Sequence, residues 1–396
     1  SKQDRAFMTR LVDGTIEYML QLDYIIDSFS KTKVRKMKPF IRNLLRMSVY
    51  QIKYMDAVPD SAVCNEAVKL AKRHKFAQLS GFVNGVLRNI ARNIDSVQLD
   101  TLSIRYSMPQ WIVDRFVAAY TEKKAEEIFK AFHNKSTISI RTNLTRCTPD
   151  ELRAMLEAEG VTVTAVDELN YAFVISGFDY LNGLQSFRDG LFYVQDISSM
   201  LVAQTAAPKK GDYVIDVCAA PGGKSTHIAE LLQGSGHVLA RDLTDNKVDM
   251  IEENIERHGL NNMSAEVWDA TVPDADSAGK ADILICDLPC SGLGVLGRKK
   301  DIRYKMTPES VDELAALQRQ ILDTVHTYVK PNGVLVYSTC TIDEAENENN
   351  VRWFIEKYPE FELDKSFAEG TGMKQILPGE HGSDGFFIAR FIKSKL

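Results

Sequence analysis

Residues 214–232, VIDVCAAPGGKSTHIAELL, decide how the rest of the chain is read. Val214 to Val217 is a short, mostly apolar run, Pro221-Gly222-Gly223 breaks it, and apolar residues then recur at helical spacing to Leu232. The stretch predicts a strand, a glycine-rich turn and a helix. Such a turn presents backbone N–H groups and a helix N-terminus to a nucleotide-like ligand. The glycines fit neither the GxGxxG spacing of dinucleotide folds nor the GxxxxGK(S/T) spacing of P-loops, so neither motif applies. Downstream, HVLARDL, SAEVWDA, ADILICD and GVLVYSTC read as strands separated by helical segments, and GFFIARFIK adds a late one. This alternation predicts an α/β, Rossmann-like, doubly wound and mostly parallel sheet.

Acids end three of these strands: Asp242, Asp269 and Asp287. Asp242 follows the glycines by about twenty residues, where a carboxylate can accept ribose hydroxyls. A single aspartate there could equally cap a helix. Three together suit a ligand with a ribose, an exocyclic amine and an ammonium group, which describes S-adenosylmethionine better than NAD. Cys290 and Cys340 close the fourth and fifth strands, on the rim where open α/β sheets bind ligands. Two thiols facing a cofactor point to covalent chemistry at carbon; the bland alternative is a pair of inert packing thiols.

The chain has 396 residues, too many for one ordinary core. Apolar residues recur at helical spacing from Phe7 to Ile90, so residues 1–100 read as an all-α domain. Residues 101–185 change texture and read as a small α+β unit, with TISIRTNL and YAFVISG as strands around the helix PDELRAMLEAEG. Residues 186–396 form the α/β domain. The chain opens at Ser1 almost inside the first helical pattern, which suggests a further helix before it. No run of about 18 apolar residues and no signal peptide occurs, which predicts a cytoplasmic protein without membrane attachment. The six cysteines (64, 147, 218, 286, 290, 340) include no CxxC pair and no zinc-type spacing, so reduced thiols and no metal are expected.

Net charge is −6, but residues 1–100 carry 17 Lys/Arg against 10 Asp/Glu, a net of +7, leaving 31 against 44, or −13, elsewhere. Lys31, Lys33, Arg35, Lys36, Lys38, Arg42 and Arg46 fall in one stretch, and Lys69, Lys72, Arg73 and Lys75 in another. These are either solvated helix faces or contacts to an RNA backbone. Arg298, Lys299, Lys300, Arg303 and Lys305 form a third basic stretch, expected to meet phosphate.

CAAPGGK at 218–224, DLPCSG at 287–292, and STC at 338–340 followed by DEAENENNV at 343–351 resemble the signature segments of the RNA cytosine-C5 methyltransferases of the NOL1/NOP2/Sun family. RNLLRMSVYQIKYMDAVPDSAVCNEAV at 42–68 and GFVNGVLRNI at 81–90 resemble the antitermination factor NusB, and the resemblance spans nearly the whole chain. It implies a NusB-like RNA-binding domain, a small RNA-positioning domain and an S-adenosylmethionine-dependent catalytic domain. The implied reaction is methylation of C5 of a cytidine in 16S ribosomal RNA, cytidine 967.

By the same resemblance Cys340 is the nucleophile and Cys290 assists product release. Cys218, Ala219, Ala220, Pro221, Gly222, Gly223 and Lys224 surround the methionine and ribose of the cofactor. Asp242 takes the ribose, Asp269 the adenine side, and Asp287 the methionine end and the target base, with Lys224 paired to Asp287. Cys218 and Cys286 also read as small core residues, and Lys247 as either a ribose contact or a solvated side chain. The chemistry has its own logic: C5 of cytosine is a poor nucleophile until a thiolate adds to C6. On chemistry alone either cysteine could add, because DNA cytosine methyltransferases use a Pro-Cys nucleophile.

Leu288 stands where the family usually has Ala, which would narrow the pocket, and Lys300 where Pro is usual, which would add charge facing RNA. In HGSDGFFIARF the glycines allow a tight turn before the last strand. The expected partner is 16S ribosomal RNA or an assembling small subunit, with the protein a monomer. Two rival readings remain: a non-catalytic RNA-binding or antitermination factor, and a methyltransferase acting on protein or a small molecule. Both cysteines and all three acids speak against the first, and the basic N-terminus against the second.

Overall fold

The computed structural model describes residues 2–134 and 137–395; the expectation drawn at Ser1 lies outside them. The chain forms two compact units, Ser1–His133 with Lys299–Lys305, and Asn134–Arg298 with Met306–Leu396.

The first unit is helical. Helices Lys2–Glu17, Met19–Phe29, Pro39–Tyr54, Asp60–Arg73 and Ser80–Asn93 each turn an apolar stripe inward, so that Leu22, Ile26, Leu45, Val49, Ala67, Leu87 and Ile90 share one core. Pro39 opens its helix at the first turn, where the missing N–H costs nothing. The unit does not stop at residue 100. Helices Leu102–Arg105, Gln110–Tyr120 and Glu122–Phe132 belong to it. Ser107 Oγ accepts the Leu20 N–H at 3.0 Å, and Gln21 Nε2 donates to the Ile104 and Arg105 carbonyls. The expected boundary followed the local change in texture, whereas these long-range bonds set the observed one.

Within the second unit, strands β1 (Ile138–Thr142), β2 (Thr162–Val166), β3 (Leu169–Ser176) and β4 (Phe192–Val194) form an antiparallel sheet in the order β2-β3-β1-β4. Helix Pro149–Ala158 covers it, entered through a capping box between Thr148 and Glu151. The small sheet thus reaches past the expected end at 185, because Phe192 to Val194 pair with Thr142 to Ile140. Three residues are too few to show a period, and the reading placed them in the next domain.

The larger sheet contains β5 (Tyr213–Asp216), β6 (His237–Asp242), β7 (Met263–Val267), β8 (Ala281–Asp287), β9 (Val329–Thr339), β10 (Phe361–Leu363), β11 (Met373–Ile376) and β12 (Phe386–Lys393). Its order is β10-β12-β9-β8-β5-β6-β7, with β11 also paired to β12. Strands β5 to β9 are parallel, and β10 to β12 join antiparallel. Alternate residues serve two cores. Ile215, Leu284 and Leu335 face Ile321, Val325 and Phe354; Val214, Ile283, Ile285 and Val336 face Ala203, Ile228 and Ile251. A sheet buried on both faces explains the continuous apolar runs of the sequence. The strand order reverses between β5 and β8, so the crevice beyond their C-terminal ends is the place for a ligand.

Candidate active site

The loop after β5 holds Cys218 to Lys224. Gly222 has φ +103°, and a Cβ on Gly223 would lie 2.9 Å from Tyr193 Cε1, so the double glycine is required by conformation at one position and by space at the next. Helix Gly223–Leu231 starts there. Asp242, at the end of β6, accepts the Ala220 N–H at 2.9 Å through Oδ2 and the Leu243 N–H at 2.8 Å through Oδ1. Lys247 Nζ also donates to Oδ1, at 2.8 Å. Lys247 is therefore an ion-pair partner of the acid as well as a half-exposed side chain.

Asp287 ends β8 opposite Ser338 in the parallel ladder. Its Oδ2 takes the Lys224 ammonium at 2.6 Å and its Oδ1 the Ser338 hydroxyl at 2.7 Å. Burial pushes the Lys224 pKa down, but the Asp287 carboxylate outweighs it, so the net direction is upward and the lysine stays charged. Asp269 is differently placed. It stands two residues beyond β7, exposed, with Oδ1 turned onto the Thr271 N–H and hydroxyl, which hold its pKa down.

The sulfurs of Cys290 and Cys340 approach to 3.2 Å. Contact with Cys340, then burial, raises the Cys290 thiol well above its ordinary range. Two thiolates at that distance cannot both be ionised, so the pair shares at least one proton. Cys286 is wholly buried in the core, its thiol raised by burial, and Cys218 packs against the same cluster. Leu288 is buried there too and fills core instead of narrowing a pocket.

The third basic stretch is a correction. Arg298 is held by Asp196 at 3.0 Å and Asp384 at 2.6 Å, and Lys300 pairs with Glu17 at 2.6 Å. Arg303 is fully buried and donates to the Glu17 carbonyl, while Lys305 pairs with Asp301. Arg298, Lys299 and Lys305 are the exposed members of the five, and of these Arg298 and Lys305 are held in ion pairs.

Sequence reasoning passed over Asp216. It ends β5 as the other acids end theirs, is 1% exposed, and accepts the Ser225 hydroxyl and, at 3.4 Å, the Cys218 N–H. Burial raises its pKa to about 7. The strand-end pattern that singled out Asp242 and Asp287 was a sufficient signal for it.

Residues 203–392 match the family 16S rRNA methyltransferase RsmB/F, residues 1–92 the NusB family, and residues 108–178 the RsmF/B-like ferredoxin-like domain. A protein named probable ribosomal RNA small subunit methyltransferase B from Bacillus subtilis is 38% identical over 99% of this chain and 91% of its own length. The chain belongs to the RsmB/F family of 16S rRNA methyltransferases. Its namesake in Synechocystis is 33% identical over 100% of this chain and 92% of its own. A crystallised methyltransferase homolog protein from Pyrococcus horikoshii is 25% identical, with a TM-score of 0.63 over 74% of this chain and 97% of that one. The family uses S-adenosylmethionine. The described residues contain no helix long and apolar enough to cross a membrane.

The loop fits that cofactor on its own terms. Three donors occupy the Asp242 carboxylate, which has about four lone-pair sites, and one donor is a half-exposed lysine able to yield. Asp242→Ala is expected to weaken cofactor binding by on the order of 1.5–3 kcal/mol, the worth of a hydrogen bond to a charged group, with turnover at saturation changing far less. Calorimetric titration checks this, and an unaltered affinity would remove Asp242 from the site.

Proposed function

We propose that the enzyme methylates C5 of a cytidine in 16S ribosomal RNA, cytidine 967, through a covalent adduct of Cys340 to C6. The observation that carries this reading is the pair of thiols 3.2 Å apart beside the Lys224–Asp287 ion pair. Bound S-adenosylmethionine supplies an electrophilic methyl group. The Cys340 thiolate forms a bond to C6, and the electron pair displaced onto C5 takes the methyl from the sulfonium sulfur, leaving a neutral thioether. Loss of the C5 proton to solvent returns the electrons to the ring and breaks the S–C6 bond. The Cys290 thiol, 3.2 Å from the Cys340 sulfur, would assist product release by donating to that sulfur as it leaves C6. Cys218 to Lys224 and Asp242 would hold the methionine and ribose, Asp269 the adenine side, and Asp287 the junction of cofactor and base. Labelled cofactor incubated with unmodified ribosomal RNA should mark one cytidine at C5. Label on another base, or on protein, would overturn the reading.

The first unit would supply RNA backbone contacts in the cytoplasm, where ribosomal RNA is modified. Lys31, Lys33, Lys36, Lys38, Lys72 and Lys75 are all exposed. Phe40 lies 4.8 Å from His74 and 5.3 Å from Phe76, which gathers the two basic stretches at one end of the helices. Arg46 is spent elsewhere, on Asp23. Neutralising Lys31, Lys33, Lys36 and Lys38 together is expected to weaken RNA binding and flatten its salt dependence by roughly 0.7–0.9 log units of slope per lost phosphate contact, with methyl transfer at saturating RNA preserved. Wild-type affinity and slope would mark the stretch as a solvated face.

A further inference from the structure

The segment DEAENENNV has no part in the chemistry above, yet its side chains reach both cysteine loops. Glu346 Oε1 accepts the Ser291 N–H at 2.8 Å, and its Oε2 accepts the Ser291 hydroxyl. Gln318 Nε2 donates to Glu346 Oε1 at 3.0 Å and to the Pro289 carbonyl at 2.8 Å. The residues on either side of Cys290 are thereby held by one pair of buried side chains. Asn347 does the same for Cys340. Its Oδ1 accepts the Thr339 hydroxyl at 2.6 Å, and its Nδ2 donates to the Thr341 carbonyl at 3.1 Å. The two clamps meet where the Ser291 and Thr341 hydroxyls lie 3.0 Å apart. Glu346, Asn347 and Gln318 are all 0% exposed.

Packing alone does not account for this arrangement. Burying a carboxylate and two amides is costly unless every polar atom is used, and an apolar core would have served stability as well. Three donors converge on Glu346, which suits an acceptor-only group. We propose that Glu346 and Asn347 are positioning residues with separate tasks: Glu346, with Gln318, sets the Cys290 thiol for product release, and Asn347 sets the Cys340 sulfur for attack. Neither touches substrate. This inference rests on the covalent reading given above.

The test is single-turnover methylation of target RNA, with formation and resolution of the protein–RNA adduct followed on denaturing gels. Glu346→Ala should form the adduct within a few-fold of the wild-type rate and resolve it on the order of 10²-fold more slowly, the scale of an ångström-sized misplacement. Asn347→Ala should show the opposite, with formation slowed by a similar factor and no accumulation. Glu346→Gln, which can still accept the Ser291 N–H, should restore resolution to within a few-fold. Should Glu346→Ala fail to fold, Gln318→Ala frees Pro289 and reports on the same step. Equal slowing of both steps in both variants, in proportion to lost thermal stability, would reduce the pair to a structural role and overturn the proposal. So would the reverse pattern. Cys290→Ala and Cys340→Ala enzymes that both give no adduct would instead overturn the covalent reading itself, and that result is visible before either clamp is altered.

Discussion

Cys340→Ala is expected to abolish methyl transfer, by on the order of 10⁴-fold or more, while S-adenosylmethionine binds within a few-fold of wild type. The split follows from placement. Cys340 follows the last residue of β9 and faces Cys290, whereas the side chains proposed for the cofactor lie on the loop after β5 and at the ends of β6 and β8. Cys290→Ala should behave differently. Without the thiol proposed to donate to the leaving sulfur, the adduct through Cys340 should accumulate as a shifted band on a denaturing gel. An adduct in the Cys340 variant and none in the Cys290 variant would exchange the two roles.

The largest effect on stability is expected at a distance from the thiols. Arg141 of β1 and Glu230 of helix Gly223–Leu231 form an ion pair with side chains 0% and 1% exposed. Arg141 also donates to Gln195 Oε1 at 3.0 Å and to Thr226 Oγ1 at 3.2 Å. This network joins the small sheet to the helix that begins at the cofactor loop. Glu230→Ala would leave a guanidinium buried without its counter-charge, a change that typically costs about 3–5 kcal/mol. Denaturant unfolding should show a midpoint lowered accordingly. A loss below about 1 kcal/mol would mean that water or another acid replaces the carboxylate. Arg141→Met with Glu230→Leu should recover much of the loss, because an apolar pair removes both desolvation penalties.

Much of the catalytic domain was legible because its signals are local. A strand buried on both faces needs an unbroken apolar run, so ILIC and VLVY announced β8 and β9. An acid or thiol just after such a run must lie on the sheet's ligand-binding rim, which located Asp242, Asp287, Cys290 and Cys340 before any coordinates. Asp216 satisfies the same rule and went unread. Resemblance supplied the substrate class, which no spacing encodes.

What escaped depends on partners far apart in the chain. Phe192 to Val194 carry no period of their own, and only their ladder with β1 assigns them to the small sheet. The cations between Arg298 and Lys305 look alike in sequence, but Lys300 and Arg303 are spent on Glu17, more than 280 residues away. The sequence by itself determined the principal strands of the parallel sheet, the helical character of the N-terminal unit, the strand-end residues and the charge asymmetry, since each is written in residues a few positions apart. Only the tertiary structure decided which cations are neutralised, where the helical unit ends, and that Glu346 and Asn347 clamp the cysteine loops. Hydrogen bonds and ion pairs act over about 3 Å of space whatever the separation along the chain, and no local pattern records which distant residues the fold will bring that close.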